Sequence, residues 1–169
     1  RSRGGGQTLR QGKPDLTADD AGAIARARAR AMLDLQEGRG PVAVLDDAGI
    51  EVSLRATRRI AVVGASSDPA RPSFGVFRYL VEQGFDCVPV NPNERSVLGV
   101  PSFRDLREAT AETGRFDLVD VFRRAELMVP HAEEAVATGA RCLWMQIGVV
   151  SWEAARIAEE SRELEVLGW

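Results

Sequence analysis

Short apolar runs recur at residues 60–63, 87–90, 118–122, 142–147 and 164–167. Each has the length of a strand whose two faces are both covered. Between most of them lie stretches whose apolar residues follow helical spacing, at 74–83, 126–138 and 152–160. Gly84 and Gly139 stand where the first two of these helices end. Strands alternating with helices of this length predict right-handed crossovers and parallel pairing. The expected fold is therefore α/β: a Rossmann-like, doubly wound, mostly parallel sheet of five to six strands with helices on both faces. No internal repeat of solenoid length is visible.

Upstream of residue 45 the pattern changes. Residues 1–16 are rich in Gly, Arg and Gln with almost nothing apolar, and they read as a disordered tail. Thr17, with Asp20 three residues on, resembles a capping box opening an Ala/Arg helix through about Glu37. Its apolar stripe of Ile24, Ala27, Ala31 and Leu35 is thin, which predicts weak packing and a solvated face. The repeated Ala-Arg leaves an acidic protein partner as the other reading of that face. Gly38, Gly40 and Pro41 stop the helix, and residues 46–58 contain a short helix leading into the first strand. The predicted organisation is a tail (1–16), a helical extension (17–45) and one main domain (46–169).

Composition narrows the function classes. Of 169 residues 44% are hydrophobic, enough for one domain with a full core and an appendage. The net charge of −3 disfavours a nucleic-acid partner. Nothing approaches the length of a membrane span, and the charged start RSRGGGQTLR lacks the apolar run of a secretory signal, so the expected compartment is the cytoplasm. Cys87 and Cys142 fall in strand-like runs and read as small core hydrophobes; with one histidine they cannot assemble a zinc site.

Ligands of a doubly wound sheet sit outside the carboxyl ends of its strands, near the switch in strand order. The loop after the first strand, Gly64-Ala65-Ser66-Ser67-Asp68-Pro69-Ala70-Arg71-Pro72-Ser73, has the parts of an anion site. Gly64 permits a tight turn, Ser66, Ser67 and Ser73 offer hydroxyls, and a helix starting near Ser73 directs its positive end into the crevice. Arg71 adds a charge-assisted contact. The plainer alternative is a loop whose serines only cap the helix. From Gly64 the next glycine is Gly75, so the G-x-G-x-x-G of dinucleotide sites is absent. The second strand lacks a terminal acid for a ribose and ends in Asn91-Pro92-Asn93, with Arg95 close by. That combination suits a ligand carrying an extra phosphate; NADP and coenzyme A both have one, and physics alone does not separate them.

Four segments, GASSDPARPSFGV, VPVNPN, LVDVFRR and WMQIGV, in this order and spacing, resemble the small bacterial CoA-binding proteins. These are stand-alone relatives of the N-terminal CoA-binding domain of the succinyl-CoA synthetase alpha subunit. The resemblance covers about residues 50–166. It implies coenzyme A or an acyl-CoA as the ligand. By position, Gly64, Ala65, Ser66 and Ser67 would line the pyrophosphate turn, with Arg71 and Ser73 on its far side. Asn91, Pro92 and Asn93 would lie against the adenosine. Phe122, Arg123, Gln146 and Gly148 would flank the pantetheine arm. Two features depart from the family: the final Leu167-Gly168-Trp169 replaces its usual Asp-Arg-Cys segment, and the extension up to residue 45 has no counterpart.

No catalytic constellation emerges. His131 follows Pro130 early in a helix and reads as a surface or capping residue. Asp117 and Asp120 flank the third strand, the first opening it and the second supporting the sheet end, with no evident basic partner for either. Trp144 and Trp152 read as packing residues. The favoured expectation is a CoA or acyl-CoA binding module without chemistry of its own. The alternatives are an NADP-dependent or other nucleotide-using enzyme, and a regulatory subunit with a vestigial pocket. A homo-oligomer or a protein partner engaged through the N-terminal extension fits the first and third.

Overall fold

The computed structural model describes residues 18–161 and 163–168. The expected tail, the Thr17 cap and Trp169 lie outside them. In chain order the elements are α1 (Ala18–Gln36), α2 (Asp47–Ala56), β1 (Arg59–Val63), α3 (Pro72–Glu82), β2 (Asp86–Val90), β3 (Ser96–Val97), β4 (Val100–Pro101), α4 (Leu106–Thr113), β5 (Leu118–Val121), a 3₁₀ turn (Ala125–Leu127), α5 (Val129–Ala137), β6 (Cys142–Met145), α6 (Trp152–Ser161) and β7 (Glu165–Gly168).

Five strands form one parallel sheet in the order β2-β1-β5-β6-β7. The strands are apolar on successive residues because both faces are covered. Ala61, Val63, Val119, Val121, Leu143 and Met145 point into one core, which α4, α5 and α6 close with Leu106, Ala109, Ala132, Ala135, Ala154, Ala155 and Ala158. Ile60, Val62, Leu118 and Cys142 point into the other, closed by Phe77 of α3 and, at its edge, Ile50 and Leu54 of α2. The small alanines on α5 and α6 let those helices approach the sheet closely. Both cysteines are buried free thiols, and burial pushes Cys87 up to about 12 and Cys142 up to about 11, as expected of core residues.

Two elements were absent from the sequence expectation: helix α4 and the antiparallel pair β3–β4. The N-cap of α4 is Asp105, whose carboxylate accepts from the Glu108 N–H (2.8 Å) while Glu108 accepts from the Arg104 N–H (2.7 Å). The expected helix 126–138 is divided into the 3₁₀ turn and α5, with Pro130 in the first turn of the latter.

Helix α1 is largely exposed, as its thin stripe predicts. Arg28 meets Glu126 in a forked pair (2.6–2.9 Å), so one arginine of the Ala-Arg repeat has an acidic partner within this chain. Residues 40–45 then run onto the body. Val42 is buried in the α4–α6 core, and Gly40 lies so close to the Trp152 ring that a Cβ there would overlap it. No described helix is long and apolar enough to cross a membrane.

Candidate functional site

The strand order reverses between β1 and β5, because the chain leaves β1 toward β2 on one side and returns to β5 on the other. A doubly wound sheet opens its crevice at that point. Here a cleft of about 670 Å³ occupies it. Gly64, Ser66, Arg71, Pro72 and Ser73 line it after β1, and Asn91 and Glu94 after β2. Phe122, Arg123 and Arg124 complete it after β5, with Gln146, Ile147 and Val149 after β6.

Gly64 sets the first turn. Its φ is +80°, and a Cβ would lie 2.7 Å from the Phe122 carbonyl oxygen, so both conformation and space require glycine. Its N–H donates to the Val90 carbonyl (2.8 Å), while the Phe122 N–H donates to Val63 (2.8 Å). The ends of β1, β2 and β5 are thereby held together around Gly64. The loop then winds through Ser66 and Asp68, whose side-chain oxygens accept from the N–H groups of Asp68 and Ala70 (3.2 and 2.9 Å). It enters α3 at Pro72, with Arg71 as an N-cap that supplies no side-chain hydrogen bond. At this start Pro72 has no N–H to offer and the Phe74 N–H donates to the Arg71 carbonyl (3.0 Å), which leaves the Ser73 N–H as the first-turn donor on the cleft side.

The β2 side is organised by Asn91. Its Nδ2 donates to the Ala65 carbonyl (2.7 Å), and its Oδ1 accepts from the Asn93 N–H (3.0 Å). The Glu94 N–H closes the turn onto the Asn91 carbonyl (3.2 Å). This places the Glu94 carboxylate on the first loop. It accepts from the Ser67 N–H (3.0 Å), the Ser67 hydroxyl (2.7 Å) and the Ser66 hydroxyl (3.1 Å). The Ser67 donors hold the Glu94 carboxyl below the usual carboxylate range, so it is ionised at neutral pH.

The arginines of the cleft are more loosely held. Among the described residues, the side chains of Arg123 and Arg124 make no hydrogen bond or ion pair, and Arg71 has only a long contact to Asp68 (3.8 Å). Behind the β5 side of the cleft, Gln146 donates from Nε2 to Asp120 Oδ1. Asp120 is almost fully buried on β5, and burial pushes its carboxyl up to about 7 despite that donor. The amide of Gln146 is thus fixed from behind by a carboxyl the cleft does not expose.

Of the residues singled out from sequence, Gly64, Ser66, Arg71, Ser73, Asn91, Phe122, Arg123 and Gln146 all line the cleft. Six others do not. Ala65 is fully buried in the α3-side core, Ser67 turns to Glu94, and Pro92, Asn93, Arg95 and Gly148 are exposed outside the lining. Glu94 was missed because carboxylates were weighed only at the strand's last residue, whereas this one lies on the turn beyond it and reaches back to the first loop. Ile147 and Val149 form an apolar lip, with Ile147 82% exposed.

The other polar expectations also need adjustment. Asp117 has basic partners after all: it accepts from the N–H groups of Arg58 and Arg59 (2.8 and 3.0 Å) and pairs with Arg141 (3.3 Å). Burial opposes this, yet these donors keep its carboxyl below the usual range. His131 neither caps nor lies on the surface. It is half-buried, with an Nδ1 that makes no hydrogen bond and lies 3.9 Å from the Glu134 carboxylate, and burial together with Arg123 holds its imidazole below the ordinary range. Trp144 and Trp152 pack at the edges of the two cores, as expected. No cluster of metal-ligating side chains occurs among the described residues.

Comparison with known proteins agrees with this architecture. The chain is 39% identical to the uncharacterised protein YneT of Bacillus subtilis over 113 residues, 67% of this chain and 82% of that one. A 56-residue stretch is 43% identical to the alpha subunit of the ADP-forming acetate–CoA ligase II of Pyrococcus furiosus, covering 32% of this chain and only 12% of that protein. A hypothetical protein from Pyrococcus horikoshii superimposes with a TM-score of 0.68 at 32% identity, over 73% of this chain and 84% of that one. The model of the CoA binding domain matches residues 58–168, and the chain belongs to that family.

Proposed function

We propose that this chain binds coenzyme A or an acyl-CoA in the cleft at the carboxyl ends of β1, β2, β5 and β6, as a holding module rather than a catalyst. The observation that carries the reading is the set of arginines lining the cleft: Arg123 and Arg124, whose side chains make no hydrogen bond or ion pair among the described residues, and Arg71, held only by a 3.8 Å contact to Asp68. Cations left unpaired beside a concave surface are suited to a ligand's phosphates. The diphosphate would lie against Gly64, Ser66, Arg71 and Ser73, with the adenosine toward Asn91. The pantetheine arm would run past Phe122 and Gln146 to the apolar lip of Ile147 and Val149. Membership of the CoA binding domain family supports coenzyme A over NADP.

A thermal-shift panel with CoA, acetyl-CoA, NAD, NADP and ATP tests this. At a hundredfold excess over its dissociation constant, a true ligand adds about 2.7 kcal/mol of stability. Stabilisation by CoA or acetyl-CoA is the expected result. Stabilisation by NADP without CoA would replace this reading with a nucleotide-using enzyme.

A further inference from the structure

The donors of the first loop already hold an anion. One backbone N–H and two hydroxyls of Ser66 and Ser67 converge on the Glu94 carboxylate at 2.7–3.1 Å, an arrangement that would serve a phosphate oxygen equally well. The placement is not the accident of a long side chain. The Asn91–Glu94 turn fixes the Glu94 backbone, and the bond from Asn91 Nδ2 to the Ala65 carbonyl ties that turn to the loop (2.7 Å). Glu94 forms no ion pair among the described residues, although Arg71 lines the same cleft. Its carboxylate is therefore satisfied by neutral donors alone, and as a partly exposed side chain it has a path to solvent. A phosphate entering these donors meets a negative charge that it must displace, whereas a phosphate-free ligand does not.

We infer that Glu94 is a built-in competitor for the phosphate end of the ligand and sets the cleft's preference between phosphorylated and phosphate-free ligands. The inference rests on the CoA reading above and adds to it an opposing group within the same site. The charge of Glu94 lowers affinity for phosphorylated ligands and makes their entry conditional on its departure. Other small anions meet the same barrier.

Isothermal titration of the full chain with CoA, inorganic pyrophosphate and pantetheine, compared among wild type, Glu94→Ala and Glu94→Gln, tests it. Alanine tightens CoA and pyrophosphate by about tenfold, the equivalent of one charge-assisted hydrogen bond, and leaves pantetheine unchanged. Glutamine, which keeps an acceptor but loses the charge, moves in the same direction by less; it carries the test if the alanine variant fails to fold. Wild-type binding of CoA with no gain, or a loss, in both variants overturns the role of Glu94 and leaves the CoA reading standing. Failure of every protein to bind either CoA or pyrophosphate overturns both.

Discussion

The two rims of the cleft carry opposite arrangements of charge. On the β2 side, Ser66 and Ser67 spend their donors on Glu94. On the β5 side, Arg123 and Arg124 face the same space with no hydrogen bond or ion pair among the described residues. The difference teaches how to read a polar residue near a site: hydroxyls and amides readily find partners within the loop, and a satisfied donor is not available without an exchange. An unpaired guanidinium has the larger unmet demand. The arginines, more than the serines, are where ligand affinity should reside.

Gly64 belongs to both rims, since its N–H bonds to the Val90 carbonyl while its Cα packs against the Phe122 carbonyl. Gly64→Ala should cost about 4 kcal/mol, combining positive-φ strain with the 2.7 Å overlap, as read by chemical denaturation. It should also pull the rims out of register and abolish binding. Asp120 tests what stands behind the arginine rim. Its carboxyl is raised from 3.8 to about 7 in the folded state, so folding is favoured fully below pH 4 and that contribution is lost as pH rises toward 7. Asp120→Asn, which still accepts from Gln146, should remove this dependence. Relative to wild type it should gain on the order of 3 kcal/mol between pH 4 and pH 8. Equal pH profiles for the two proteins would refute a strained buried carboxyl.

The arginine rim itself is probed by Arg123→Ala combined with Arg124→Ala. CoA binding should weaken roughly 30-fold and lose most of its salt dependence, with an unchanged denaturation midpoint, because neither side chain supports the fold. Arg28→Ala serves as the remote control. Its pair with Glu126 is about half exposed (side-chain exposures 45% and 40%), so its loss should cost under about 1 kcal/mol and leave ligand affinity unaltered.

Much of this was legible before the structure. Doubly buried strands print as unbroken apolar runs, so all five strands of the main sheet, and with them the strand-end location of the cleft, could be read. Helix α4 was not seen because eight residues with Leu106 and Ala109 as their buried pair give almost no periodic signal. The Asp105-x-x-Glu108 cap was the cue that could have found it. Within the site, sequence identified the residue types but not their allegiance. Whether Ser67 faces a ligand or Glu94 depends on a turn set by Asn91, 24 residues further along. Likewise Ala65, one residue from Gly64, alternates into the core and cannot reach the cleft.

The central claim, that this cleft takes coenzyme A through its phosphates, is tested most directly by titrating the full chain with CoA and with pantetheine at low and high salt. CoA should bind, weaken as salt rises, and exceed pantetheine by at least about tenfold. Equal affinity for the two ligands, independent of salt, would contradict it.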